Sequence, residues 1–160
     1  MSHQSSTPHH FLSQLVGSWI GQTRTWLDPI SEPYQSPIQG SIHLILEGRF
    51  AIYLYQSTMD GEPQHGMFIF GFNTISNQYE ASWVDSFHNN TAIMFCAGEA
   101  IDNGFFVLGS YPDPTGGPDW GWRTEVELLD NDHLVITAYS IHPEGGEAKA
   151  TEARLTRVKK

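Results

Sequence analysis

WRTEVELL, residues 122–129, decides the fold class. Trp122, Thr124, Val126 and Leu128 fall on one face of an extended chain, while Arg123, Glu125 and Glu127 fall on the other. A helix would scatter both sets around its circumference, so the period of two argues for a strand with one buried face. FAIYLYQ, residues 50–56, repeats the pattern with heavier faces: Phe50, Ile52 and Leu54 oppose Ala51, Tyr53 and Tyr55. Two substantial faces suit a barrel strand, whose inner side fills the interior or holds a ligand and whose outer side is partly covered.

Working outward from these two, similar runs recur at roughly the 8–12-residue spacing of an all-β sandwich or barrel. They are Trp19–Leu27, Gly40–Leu46, Arg49–Thr58, Gly66–Phe72, Gln78–Val84, Thr91–Gly98, Gly104–Ser110, Gly121–Leu129, His133–His142 and Ala148–Val158. Between them stand MDGEP, NTISN, SFHNN, IDNG, DND and PEGGE, which carry the Gly, Asn, Asp and Pro that turns require. Ten short-linked antiparallel strands predict an up-and-down meander, because a Greek key needs long return connections. Closure into a barrel removes the exposed edges a flat meander would leave. The one helical pattern is N-terminal: Ser6 or Thr7 as cap, Pro8 near the first position, and a stripe of Phe11, Leu12 and Leu15. Its natural place is a lid over one barrel end. The whole chain, 1–160, reads as a single domain, with 1–7 expected to be disordered.

Eighteen acidic residues against eight Lys and Arg give a formal charge of −10. That field disfavours nucleic acid and anionic membrane surfaces as partners. Cys96 is alone, which excludes an internal disulfide and a Cys-rich zinc site. No apolar run approaches the ~20 residues of a membrane span, and the start MSHQSSTPHHF lacks the pattern of a secretory signal. A cytoplasmic protein is the expectation.

FLSQLVGSWIGQTRTW, with Gly17, Trp19 and Gly21, resembles the Gly-x-Trp-x-Gly opening of calycin-type barrels. More of the chain resembles domain-of-unknown-function family 1579. The matching pieces are Phe11 to Gly21, Leu46-Glu47-Gly48-Arg49-Phe50, Gly66 through Gly71-Phe72-Asn73, then Tyr79, Trp83 and Asp85, Arg123-Thr124, and Glu152 to Arg157. The resemblance implies a lipocalin-like fold and no particular reaction. It also implies that Trp19 packs against Arg157 or Arg154 across one barrel end, which is a structural role. Nitrobindin is a more distant likeness and would imply haem held by a His near the C-terminus. Here the last His is His142 and the ending ARLTRVKK offers no axial ligand, so no cofactor is expected. His43, His65 and His88 remain as other potential haem ligands.

The residues singled out for a site are Trp83, Asp85, Trp122, Arg123, Tyr53 and His43. Trp83 and Asp85 share a face by their spacing of two, and so do Trp120 and Trp122. An indole wall with one charged group would bind and orient a ligand. An inward Asp85 needs a partner, for which Arg123 or Arg49 is available. Arg123 falls opposite Trp122 on a regular strand, so only a bulge or a rim position lets both serve one pocket. No His-x-His or His-x-x-x-His spacing appears beyond His9-His10, so no metal is expected. Gly-x-Ser-x-Gly, P-loop and Gly-x-Gly-x-x-Gly motifs are absent. The segment from Tyr111 to Trp120 reads as a long hairpin connection near a barrel mouth. Three functions follow: a barrel binding a small apolar or aromatic molecule, an enzyme (isomerase, lyase or cyclase) working in the cavity with Asp85, Tyr53 or a His, or a packed barrel acting as an interaction protein. A homodimer is left open.

Overall fold

In the computed structural model, which describes residues 7–159, the alternation persists through the long runs. The strands are β1 (Gly17–Thr25), β2 (Tyr34–Ile45), β3 (Phe50–Met59), β4 (Glu62–Asn73), β5 (Gln78–Asp85), β6 (Met94–Gly98), β7 (Ala100–Ile101), β8 (Gly104–Tyr111), β9 (Trp120–Asp130), β10 (His133–Ile141) and β11 (Glu147–Arg157). Each pairs antiparallel with its neighbour in sequence through β6, and again from β7 to β11. Pairing of β1 with β11, and of β6 with β8, closes the sheet. The result is the expected closed ten-stranded meander, with the two-residue β7 as an extra strand on β8.

Turn chemistry fixes the registers. Asp60 and Gly61 both take positive φ (52° and 81°), the geometry of a two-residue hairpin whose twist matches its strands, and they join β3 to β4. β2 begins six residues earlier than its apolar run suggests. Pro37 pairs with Gln22 of β1 but lies beyond the β2–β3 ladder, where a missing N–H costs no sheet hydrogen bond. β6 starts at Met94, because Phe87 to Thr91 are taken up by a turn that includes Asn90 at φ 54°.

Thr7 caps α1 (Pro8–Gln14) by accepting a hydrogen bond from the His10 amide, and Pro8 occupies the first turn. The disorder expected for residues 1–6 lies outside the described residues; Thr7 belongs to the cap. Leu12 and Leu15 are fully buried beneath the helix, and burying each contributes roughly 1.5–3 kcal/mol. Trp19, also fully buried, donates from Nε1 to the Leu15 carbonyl at 2.9 Å. Arg157 lies 4.4 Å over the Trp19 ring and donates to the carbonyls of Val16 and Gln14. One arginine thus ties the last strand, the first strand and the helix end together. Phe70, Phe105, Val126 and Leu134, all buried, fill the barrel above this lid. No helix among the described residues is long and apolar enough to cross a membrane.

Candidate functional site

At the other end the inward positions of the same strands become polar. Thr23, Thr25, Ser36, Gln64, Asp85 and Thr124 are all buried there. Register places them side by side: Thr23 opposite Ser36, Thr25 opposite Thr151, and Thr124 opposite both Val107 and Ala138. All of these polar residues but Ser36 line an interior cavity with about 50 Å³ open to water-sized spheres. One water needs roughly 10–15 Å³ of such space, so the cavity holds a few waters or a small ligand group.

An aromatic belt runs along one wall. Tyr53 stacks on Phe68 (6.3 Å, 11°), Phe68 on Trp83 (5.4 Å, 8°), and Trp83 on Trp122 (5.3 Å, 19°). Glycines let the tyrosines lie against the wall: a Cβ on Gly66 would stand 2.1 Å from the Tyr55 Oη, and one on Gly40 would stand 2.6 Å from the Tyr53 ring.

Asp85, 3% exposed, has no Lys, Arg or His partner among the described residues. Neutral donors hold it instead. Oδ1 accepts from the amides of Phe87 and His88 at 2.8 Å each; Oδ2 accepts from Tyr55 Oη at 2.5 Å; and Gln64 Nε2 reaches both oxygens at 3.2 and 3.1 Å. Trp83 Nε1 donates to Tyr55 Oη at 2.9 Å, extending the chain of hydrogen bonds. Burial, reinforced by the Asp85 charge, pushes the Tyr55 phenol well above its ordinary range. Burial also raises Tyr53, so both phenols stay protonated near neutral pH.

Among the described residues, three buried side-chain atoms make no hydrogen bond: Tyr53 Oη, Trp122 Nε1 and Thr124 Oγ1. All three belong to residues lining this one cavity. Buried polar atoms are nearly always paired, by protein or by ordered water. Three unpaired ones around one space therefore mark where something else must supply the partners.

His88 follows the Asp85 turn and packs near Trp83 and Trp122, with ring centroids 5.6 and 5.5 Å away. Burial lowers its pKa, partly offset by Asp85, which favours the neutral imidazole. Trp83, His88 and Trp122 line the cavity on one side and an outer groove of about 490 Å³ on the other. Ile93, Met94, Tyr111 and Pro114 form much of the groove's far wall, so the Tyr111–Trp120 connection does shape the mouth. Two larger depressions, about 510 and 670 Å³, lie on the outside of β1 to β4. Among the described residues, only Tyr53, Trp122 and Thr124 carry unpaired buried side-chain atoms, and none of the three lines either depression.

Of the six residues singled out from sequence, Tyr53, Trp83, Asp85 and Trp122 come together at the cavity. Arg123 does not. Its strand is regular there, so the side chain points outward, donates to Glu147 and Glu125, and lies 4.6 Å over the Tyr139 ring. Neither Arg123 nor Arg49 partners Asp85. His43 is also displaced: it alternates with the buried Ile42 and stands exposed on the outer wall. Tyr55, Gln64, His88 and Thr124 were missing from the set. Tyr55 and Thr124 sit two residues from Tyr53 and Trp122, so same-face spacing could have found both. Gln64 lay between the MDGEP turn and the run that begins at Gly66, His88 lay within SFHNN, and neither gave such a signal. Among the described residues no three His, Cys, Asp or Glu side chains converge as metal ligands would.

No curated protein matches the sequence. Among solved structures, Rv2717c from M. tuberculosis is similar with a TM-score of 0.62 at 16% identity, over 97% of this chain and all of that one. An S-type phycobiliprotein lyase, CPES from Guillardia theta, is similar with a TM-score of 0.53 at 10% identity, over 94% of this chain and 92% of that one. At such identities the likeness shows a common barrel fold. The family model described as "Protein of unknown function (DUF1579)" matches residues 4–157, nearly the whole length, and the chain belongs to that family.

Proposed function

We propose that this barrel binds a small aromatic molecule bearing a polar group, at the end away from α1. The observation that carries the reading is the set of unpaired buried atoms, Tyr53 Oη, Trp122 Nε1 and Thr124 Oγ1, around one cavity. Leaving a buried donor unpaired costs roughly 1–3 kcal/mol, and a ligand offering acceptors recovers that cost while the indoles supply apolar area. A cytoplasmic setting, with neither nucleic acid nor membrane as partner, belongs to the same proposal. The acidic charge and the buried free thiol of Cys96 support it.

The test is native mass spectrometry of protein purified from its own cells. We expect one retained small molecule per chain, lost in the double variant Trp122→Phe/Thr124→Val. No retained mass, together with no change in tryptophan fluorescence on titration with indole or naphthalene, would favour the packed barrel acting as an interaction protein.

An enzymatic alternative, an isomerase, lyase or cyclase, draws on one further observation. His88 is held neutral at the cavity edge and its side chain makes no hydrogen bond among the described residues, so its imidazole is free to take a proton. The phycobiliprotein lyase supports this reading only as a related fold. Conversion of a bound molecule that stops in His88→Gln, with binding retained, would establish it.

A further inference from the structure

We propose that the cavity selects an uncharged hydrogen-bond acceptor and turns away both carboxylates and ammonium ions; this rests on the ligand-binding reading above. The unpaired groups set the first half. An indole N–H can only donate, so Trp122 Nε1 requires an acceptor on the ligand. The hydroxyls of Tyr53 and Thr124 remain protonated and can donate to the same ligand group.

Charge sets the second half. Among the described residues no Lys or Arg lines the cavity, and His88 is neutral there. Asp85 is its one formal charge. A carboxylate entering it meets a buried like charge with no counter-ion, in surroundings that screen poorly. An ammonium fares little better. A carboxylate offers about four lone-pair sites, and Asp85 already accepts from the amides of Phe87 and His88, the Tyr55 hydroxyl and the Gln64 amide. The stacked rings of Phe68, Trp83 and Trp122 turn their faces toward one another, which leaves them poorly placed to seat a cation. A stripped ammonium would find only the hydroxyl oxygens of Tyr53 and Thr124 as acceptors and would face the Trp122 N–H donor, too little to replace its hydration.

Size fits the same picture. The cavity alone is too narrow for an aromatic ring, but Trp83, His88 and Trp122 separate it from the 490 Å³ outer groove. Turning His88 aside joins the two. The ligand's ring then rests among Ile93, Met94, Tyr111 and Pro114, and its neutral acceptor reaches inward to Trp122.

Benzamide, benzoate and benzylammonium share one ring and differ in charge. Calorimetric titration at pH 7 and about 0.5 M salt, where long-range repulsion by the acidic surface is screened, should give benzamide at least tenfold tighter than either ion. Trp122→Phe should weaken benzamide about tenfold more than it weakens toluene, which has no acceptor. Benzoate binding as well as benzamide, benzylammonium binding more tightly, or benzamide weakened by Trp122→Phe no more than toluene would overturn the selectivity while leaving ligand binding standing. No binding by any of the four probes would sink both.

Discussion

Trp19, on β1, and Trp122, on β9, are both inward, buried indoles of one barrel, yet they are treated oppositely. Trp19 Nε1 has the Leu15 carbonyl, Arg157 covers its ring, and the space around it is filled by Leu12, Leu15 and their apolar neighbours. Trp122 Nε1 has no partner in the protein, and its ring borders a cavity on one side and a groove on the other. The α1 end pairs its indole N–H and packs the interior around the ring with apolar side chains. The mouth keeps space and holds donors in reserve. On the proposed reading, stability is concentrated at the first end and ligand binding at the second, as expected when a site must be held ready by a rigid scaffold elsewhere.

The largest effect that would break this comparison is at Trp19. Trp19→Ala should cost ~3–5 kcal/mol in chemical denaturation, because a filled core cannot collapse around so large a deletion. A loss below about 1 kcal/mol would mean the α1 end is no better packed than the mouth. Next in size is a pair of glycine substitutions. In Gly66→Ala the new Cβ meets Tyr55, which Asp85 and Trp83 hold in place, so roughly 1–3 kcal/mol should be lost. In Gly71→Ala the Cβ meets Phe50, a 36%-exposed outer-wall residue free to swing away, so the loss should stay below ~1 kcal/mol. Equal losses in the two variants, measured by urea unfolding, would deny that the Tyr55–Asp85 network is rigid.

Much of this architecture was legible because alternation survives wherever a strand has one dry face. WRTEVELL gave both the strand and its buried face, FAIYLYQ gave the strand with two heavy faces, and the calycin-like resemblance implied Trp19 against Arg157 or Arg154, of which Arg157 is the one that covers the ring. Alternation says which residues share a face but not how deep each lies along the barrel axis. Nothing in the sequence therefore separates the inward Trp122 and Thr124 of the mouth from the inward Val126 of the packed end. Arg123 illustrates the second limit. It could serve the Trp122 pocket only through a bulge, and the irregularities of β10 fall between His133 and Leu134 and between Ala138 and Tyr139, leaving the alternation at Arg123 intact. His43 had neighbours compatible with either face, and the β2–β3 register turned it outward. The donors that hold Asp85 were illegible for a different reason: two are backbone amides of a turn, and such partners depend on conformation and not on residue type.

The smallest effect is the most diagnostic, because its sign differs between the two ends. Thr124 is 1% exposed and its hydroxyl makes no hydrogen bond to the protein. Valine has nearly the same shape without the hydroxyl. If the mouth holds an unused donor, Thr124→Val removes a desolvation cost and gives up no protein hydrogen bond, so the free protein should gain up to ~1 kcal/mol. The matched change at the packed end is Trp19→Phe, which deletes the bond to the Leu15 carbonyl together with part of a filled volume, and should be destabilising by about 1–3 kcal/mol. Opposite signs in urea unfolding would mark the mouth as a place where stability is forgone for binding. A clear loss in Thr124→Val would instead mean that its hydroxyl is tied into the resting structure through ordered water, and the reserve of donors would shrink to Tyr53 and Trp122.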